Sequence, residues 1–94
     1  MLSNIPINLA NVSKENIDKE ILRAGIIAEL DAINLYEQMA ELSTSDEIKS
    51  VLLDIAKEEK THVGEFQTML LRFDEEQVEE LEAGKKEVEE EVPR

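Results

Sequence analysis

The sequence predicts an all-α protein, and three observations support that prediction. Leu, Ile, Ala and Glu are abundant among the 94 residues, whereas aromatic residues make up only 3% of them, a composition typical of helical chains. Apolar residues recur at alternating steps of three and four along two long stretches. The polar segment STSDE, residues 43–47, separates the two stretches. We therefore predict two long antiparallel helices, followed by a short C-terminal helix.

The first predicted helix follows a short lead-in. Residues 1–12 show no helical period, and Pro6 disfavours helical backbone in the residue before it, so an extended lead-in is predicted. Ser13 is a suitable N-cap residue, and the helical pattern continues to about Leu42. The first helix is therefore predicted from about Ser13 to about Leu42.

Two capping patterns predict where the next helices begin. Thr44 and Glu47 stand three residues apart, as in a capping box, and the helical pattern that follows continues to about Phe73. Asp74 and Gln77 repeat this spacing. The repeat predicts that a third, shorter helix starts directly after the second.

The C-terminal part of the chain is strongly acidic. Residues 74–94 carry ten acidic and three basic side chains, with few apolar residues among them. This composition is typical of a solvated helix that passes into a disordered linker, and docking or attraction of iron are the alternatives. We predict a helical domain over residues 13–83 and an acidic linker or disordered tail over residues 84–94.

Charge and composition argue against several classes of function. The formal net charge of −13 makes nucleic acid and anionic membranes poor partners, because both carry charge of the same sign. No apolar run approaches the ~18 residues of a membrane span, and the first ten residues lack the basic start and apolar core of a signal peptide. The chain holds no cysteine, so it offers neither a disulfide nor a thiolate metal site.

Each long helix carries one row of residues, here called its seam, with the spacing of a buried helix-packing face. The seam of the first helix consists of Leu22, Ile26, Glu29, Ile33, Tyr36 and Ala40. The seam of the second helix consists of Ile48, Leu52, Ile55, Glu59, His62, Phe66, Met69 and Phe73. Both seams are apolar at their ends and polar in the middle, at Glu29 in one and at Glu59 and His62 in the other.

These three polar seam residues predict a metal site. A buried carboxylate costs several kcal/mol unless it is paired or bound to a metal. The Glu-x-x-His spacing of Glu59 and His62 places both side chains on one side of the helix, one turn apart, so that both can reach a common ion. The alternative is a plain Glu–His ion pair, with Glu29 reaching water at the edge of its seam. We favour the metal site, because three such residues interrupt two otherwise apolar seams.

The number of ligands predicts that two chains share the site. A di-iron carboxylate centre in a helix bundle uses one Glu from each of two helices and a Glu-x-x-His from each of two others. This chain supplies one of each. A symmetric dimer would complete the set with four glutamates and two histidines, in a four-helix bundle with its metals near the two-fold axis. Carboxylates and imidazoles suit Fe, Mn or Zn.

Two stretches of the sequence resemble the encapsulated ferritins, a branch of the ferritin-like superfamily. They are AELDAINLYEQ in the first helix and DIAKEEKTHVGEF in the second, and the similarity extends over about Ile17–Leu81. The resemblance implies that two subunits form a ferritin-like four-helix bundle. It also implies that this dimer is a ferroxidase, which oxidises Fe(II) with dioxygen at a centre of two irons. It also implies an annular decamer inside an encapsulin shell, a cytoplasmic nanocompartment that stores the mineral.

The resemblance assigns roles to single residues. Glu29 matches the first-helix glutamate that bridges the two irons, while Glu59 and His62 match the Glu-x-x-His ligands. Tyr36 matches a tyrosine close to the site. These four positions are therefore the expected catalytic and surrounding residues.

Other positions in the same stretches are expected to play lesser parts. Asp31 matches one acid of an outer metal-entry site, but Ala28 stands where relatives can have a second acid, which weakens the case for such a site. Glu58 and Glu65 stand four residues before the histidine and three after it. They are candidate acceptors for the second ring nitrogen of the histidine, although the alternative for both is a solvated acid on the helix surface.

Two other functions are alternatives to the ferroxidase. One is a peroxide-reducing di-iron protein similar to the rubrerythrins, against which the lack of a cysteine-based iron site counts. The other is a non-catalytic helical module in which a metal cements a dimer. Some encapsulated ferritins are fused to their shell protein, and the final residues EEEVPR fit a linker of such a fusion.

Overall fold

The computed structural model describes residues 8–94, with Leu9 described by its backbone alone. A short 3-10 helix at Leu9–Asn11 precedes three α-helices, and none of the described residues forms a strand. The helices are α1 (Ile17–Leu42), α2 (Asp46–Phe73) and α3 (Glu75–Glu91). The predicted all-α fold, with two long helices and a shorter C-terminal one, is confirmed. Residues 1–7 of the predicted lead-in, including Pro6, lie outside the described residues.

The start of α1 differs from the prediction. Residues 13–16 form a turn in which the backbone N–H groups of Asn16 and Ile17 both donate to the Ser13 carbonyl, at 3.1 and 3.0 Å. Asn16, rather than Ser13, is therefore the N-cap residue. The Ser13 hydroxyl is occupied by the Asn16 side chain, whose Nδ2 donates to Ser13 Oγ at 3.2 Å. The helix ends at Leu42, as predicted.

The N-cap of α2 is Ser45, one residue beyond the predicted Thr44. Ser45 has extended backbone, with φ −101° and ψ 124°. Its Oγ accepts a hydrogen bond from the Ile48 N–H at 3.3 Å, the geometry by which an N-cap side chain satisfies a free N–H of the first turn. α2 ends at Phe73, as predicted.

The start of α3 agrees with the prediction, but its length does not. Asp74 is the N-cap residue, and its Oδ1 accepts from the Gln77 N–H at 3.0 Å. The helix continues to Glu91, although a linker or disordered tail was predicted from residue 84. Gly84 costs only up to ~1 kcal/mol in a helix, and the Glu and Lys residues around it are good helix formers. Pro93 is the first residue that cannot continue the helix.

α1 and α2 pack against each other as an antiparallel hairpin, in which residues early in α1 meet residues late in α2. Gly25 lies against Phe66, and Glu29 lies near His62. A Cβ atom on Gly25 would lie 2.9 Å from the Phe66 ring, so glycine permits the close approach of the helices at this point. At Gly64, by contrast, no heavy atom of residues 8–94 lies within 4 Å of an added Cβ.

The hairpin encloses a small core. The buried apolar residues of the described chain are Ile33, Ala40, Ala56 and Leu70. Large apolar side chains on all three helices remain exposed, and Leu42 and Val88 are 82% and 62% exposed. Exposed apolar surface of this extent is typical of interfaces. The single chain therefore presents apolar surface that a partner would cover.

α3 extends sideways from the hairpin. The chain measures 46 × 42 × 20 Å, and α2, with 28 residues, accounts for one long dimension of about 42 Å. The second long dimension comes from α3, because a pair of packed helices is only about 20 Å wide. No Cα atom of α3 lies within 8 Å of a Cα atom of α1. No helix of residues 8–94 has the length and apolar character that a membrane crossing requires.

Candidate metal centre

The hairpin brings the three polar seam residues together. Glu29 lies in the middle of α1, and Glu59 and His62 lie one turn apart in the middle of α2. His62 Nδ1 is 3.3 Å from Glu59 Oε2 and 3.4 Å from Glu29 Oε2. One ligand atom from each residue lies within 4.8 Å of the other two. Ligand atoms that surround an ion at ~2.1 Å are themselves about 3–4 Å apart, so small adjustments would seat a metal here.

Both carboxylates of the cluster are shielded from solvent, whereas the histidine is not. The side chains of Glu29 and Glu59 are 19% and 18% exposed, and that of His62 is 45% exposed. Glu29 Oε2 is fully buried and has no hydrogen-bond donor among residues 8–94. A buried carboxylate oxygen without a partner costs free energy. A cation bound between the three side chains would remove that cost, so the residues fit a metal site.

A plain ion pair accounts for only part of this arrangement. His62 Nδ1 has hydrogen-bond geometry toward Glu59 Oε2, but not toward Glu29 Oε2. A single N–H therefore satisfies Glu59 and leaves Glu29 without a donor. A metal ion has no such directional limit and can accept both carboxylates together with the imidazole nitrogen.

The other residues singled out from the sequence lie outside this cluster. Tyr36 is partly buried on α1 and forms no hydrogen bond with the described residues, and Asp31 is not among the three clustered ligands. Glu58 and Glu65 are exposed, and neither hydrogen-bonds to the histidine within residues 8–94. Residues 8–94 therefore bring three candidate ligands together and include no hydrogen-bond partner for the second ring nitrogen.

One ion pair away from the cluster was not foreseen from the sequence. Arg23 Nη2 on α1 donates to Asp74 Oδ2 at 2.7 Å. The Gln77 N–H, followed by the charges of Arg23 and Lys19, holds the pKa of Asp74 below its usual value of 3.8. The capping pattern predicted the contact with Gln77, but no local pattern indicates an arginine that precedes Asp74 by 51 residues.

Comparison with known proteins places the chain among relatives of ferritin. The rubrerythrin family matches residues 20–93. A ferritin-like–encapsulin shell fusion protein of Pyrococcus furiosus is 62% identical over 71 residues, which are 76% of this chain and 21% of that protein. The encapsulin nanocompartment cargo protein EncC of Myxococcus xanthus is 35% identical over 69 residues, 70% of this chain and 53% of that protein. The chain thus spans about a fifth of the first protein and about half of the second.

A solved structure agrees over the whole chain. The crystal structure of the encapsulated ferritin domain from Pyrococcus furiosus is 51% identical, with a TM-score of 0.86. The match covers 100% of this chain and 98% of that domain. The resemblance stated from the sequence is therefore confirmed. The chain belongs to the rubrerythrin family and is a ferritin-like domain of the encapsulated ferritin type.

Proposed function

We propose that the chain is a ferroxidase that oxidises Fe(II) to Fe(III) at a di-iron centre between two of its copies. The observation that carries the proposal is the buried, donorless Glu29 Oε2 beside Glu59 and His62. These residues are one half of the four-glutamate, two-histidine set of di-iron bundles. Membership of the rubrerythrin family supports iron as the metal.

Each residue of the cluster has a proposed part in the reaction. Glu29 and its symmetry mate would hold both irons, Glu59 would be a carboxylate ligand, and His62 would bind through Nδ1, the nitrogen that faces both carboxylates. Iron is here the substrate. Anionic oxygens favour Fe(III) over Fe(II), because they stabilise the higher charge more strongly. Two Fe(II) ions supply two electrons, which with two protons reduce one dioxygen to hydrogen peroxide.

Two features support a site shared between copies. The imidazole of His62 is 45% exposed, so the cluster is open toward solvent on one side. Large apolar side chains around the hairpin are exposed as well. A second hairpin would cover this surface and supply the missing three ligands across a two-fold axis.

The relatives suggest where the enzyme works. One is a fusion to an encapsulin shell and another is an encapsulin nanocompartment cargo protein. We propose that the chain acts inside an encapsulin nanocompartment of the cytoplasm, as an annular decamer that supplies iron to the stored mineral. Tyr36 is proposed to lie close to the assembled centre and Asp31 at an outer point of metal entry.

Oxygen consumption tests the proposal. Fe(II) is added anaerobically to the chain, the sample is mixed with oxygenated buffer, and oxygen uptake is followed against a protein-free control. We expect uptake well above the control, at one dioxygen per two irons. Uptake equal to the control would leave a metal-cemented, non-catalytic dimer as the function.

The family match makes peroxide reduction the second candidate. This chain contains no cysteine, so a cysteine-based electron-transfer site would have to come from another protein. Turnover of hydrogen peroxide with an added electron donor, faster than the oxidation of Fe(II) by dioxygen, would favour this candidate over the ferroxidase.

A further inference from the structure

A single residue separates α2 from α3. Asp74 both ends α2 and caps α3, with backbone angles of φ −139° and ψ 86°. The direction of α3 therefore depends on the two soft dihedral angles of this residue. α3 has 17 residues and is about 25 Å long, so a rotation of about 20° at Asp74 would move its far end by about 9 Å.

The carboxylate of Asp74 makes two hydrogen bonds, which differ in what they connect. Oδ1 accepts from the Gln77 N–H at 3.0 Å. This bond moves with α3, because both partners belong to the start of that helix. Oδ2 accepts from Arg23 Nη2 at 2.7 Å, and Arg23 belongs to α1. Of the two bonds, only the one from Arg23 ties the start of α3 to the hairpin.

Packing leaves α3 room to rotate. No Cα atom of α3 comes within 8 Å of a Cα atom of α1. A groove of about 370 Å³ lies between the hairpin and the first turns of α3, and its lining includes Ile27, Leu70 and Leu81. Val78 and Leu81, the apolar residues of these turns, are 45% and 43% exposed. Apolar contacts with the hairpin therefore constrain α3 weakly.

We propose that Asp74 is a one-residue hinge and that its bond to Arg23 is a latch that holds α3 in one direction. The bond joins two opposite charges at short distance, and the Asp74 side chain is only 9% exposed, so water competes little for it. With the latch closed, α3 presents its outer apolar residue Val88, and Val92 directly after the helix, at a constant position. With the latch open, α3 samples a range of directions while the metal ligands, which lie in the hairpin, stay in place.

Distances between spin labels test the latch. The chain has no cysteine, so Lys57→Cys and Lys86→Cys introduce one exposed label on α2 and one on α3. Labelled chains are diluted into an excess of unlabelled chain, so that both labels of a measured pair belong to one chain. Pulsed electron paramagnetic resonance measures the distance between them. The sample is measured without metal and with diamagnetic Zn(II). We expect one narrow distance distribution for the unsubstituted background.

Two variants open the latch and keep the cap. Arg23→Gln removes the charge on α1, and Asp74→Ser retains a capping oxygen but cannot reach Arg23. Both should broaden the distance distribution to a similar degree without loss of helix in circular dichroism. Lys60→Gln is the matched control, because it removes an exposed ion pair to Glu37 that joins α1 and α2 and does not involve Asp74. It should leave the distribution narrow.

Each outcome decides the proposal. An unchanged narrow distribution in Arg23→Gln would show that other contacts set the direction of α3, and would overturn the latch. Equal broadening of the distance distribution in Lys60→Gln would show that any weakening of the helix packing has this effect, and would also overturn the latch. Arg23 is 48% exposed, so its replacement removes little packing; if Asp74→Ser fails to fold, Arg23→Gln decides the matter by itself.

Discussion

Glu29 is the residue on which the proposed chemistry of the hairpin depends. Its Oε2 atom is buried and has no donor in the part of the chain that the structure describes, while His62 hydrogen-bonds to Glu59 instead. A carboxylate in this position destabilises the chain unless a cation joins it. The same atom therefore supports the proposals that the hairpin binds metal and that it shares the site with a second copy.

Replacing the ligands should slow Fe(II) oxidation strongly. We expect Glu29→Ala, Glu59→Ala and His62→Ala each to reduce the rate at least about ten-fold, since even the outer partners of metal ligands contribute ~10–100-fold. Stopped-flow absorbance after mixing with Fe(II) and oxygen measures the rate. Glu58→Ala, which removes an exposed acid next to Glu59, is the matched control and should retain the full rate. Full rates in all three ligand variants would rule out the site.

Neutralising Glu29 should have opposite effects with and without metal. In the metal-free chain, Glu29→Gln should raise the free energy of unfolding by about 1 kcal/mol, because a buried charge without a donor is removed. With Zn(II) present the same variant should be less stable than the wild type, because a ligand is lost. Denaturant unfolding at equal protein concentration, with chelator or with Zn(II), measures both. Destabilisation without metal would instead support a simple ion pair with His62.

Asp74 gives the chain a defined response to acid. Its pKa is lowered in the folded state, first by the Gln77 N–H and then by Arg23, so its charge contributes stability that is fully present above the unfolded value of 3.8. That contribution is lost as the pH falls through the lower folded pKa. Asp74→Asn keeps the cap and removes the charge. The difference in unfolding free energy between wild type and variant should be constant at neutral pH and vanish in strong acid; a difference that persists there would contradict this account.

At the level of the helices, local sequence patterns predict the N-cap correctly where a single short-range interaction fixes the start of the helix. The cap of α3 follows from the three-residue spacing of Asp74 and Gln77. As expected, the Gln77 N–H donates to Asp74 Oδ1 at 3.0 Å. The cap of α1 lies three residues after the predicted Ser13, which forms a turn instead, and the cap of α2 lies one residue after Thr44, at Ser45. Several adjacent residues can cap a helix, so composition alone does not choose between them.

Two helix glycines should respond differently to alanine. Within the described residues, no heavy atom lies within 4 Å of a Cβ added at Gly84, so Gly84→Ala should stabilise α3 by up to ~1 kcal/mol. Gly25→Ala should destabilise the hairpin, because the new Cβ would lie 2.9 Å from Phe66 and overpacking costs about 1–3 kcal/mol, more than the gain in helix propensity. Denaturation midpoints compare the two. Stabilisation by Gly25→Ala would mean that the Phe66 ring moves aside at little cost.

At the level of the whole molecule, we propose that the hairpin is half of a larger assembly. Its buried apolar residues are few, and large apolar side chains remain exposed on every helix. A second copy across a two-fold axis would cover the apolar surface and would also supply the other half of the proposed ligand set. Burial of the apolar side chains and binding of the metal would then both favour association of the two chains.

Metal should therefore promote association. A metal that binds only the assembled form stabilises that form by mass action, so anaerobic Fe(II) should shift chains toward dimers or larger rings. Multi-angle light scattering at several metal ratios measures the shift. Glu59→Ala should show little response, and Glu58→Ala should behave as the wild type. An active monomer at every metal level would contradict the shared centre.

The sequence by itself determined the features that depend on near neighbours along the chain. Alternating steps of three and four define the two long helices, and the cost of burying charge predicts a site at Glu29, Glu59 and His62 within apolar seams. The extent of α3 was missed because a run of Glu and Lys suits a solvated helix and a disordered tail equally well.

Only the tertiary structure decided what depends on residues that are distant in sequence. The pairing of Arg23 with Asp74 spans 51 residues, and the contact of Gly25 with Phe66 joins two helices. The donorless oxygen of Glu29 likewise exists only once α1 and α2 have packed. Periodicity shows which face a helix buries. The positions of the buried faces of α1 and α2 relative to each other follow from packing, which therefore determines which atoms come into contact.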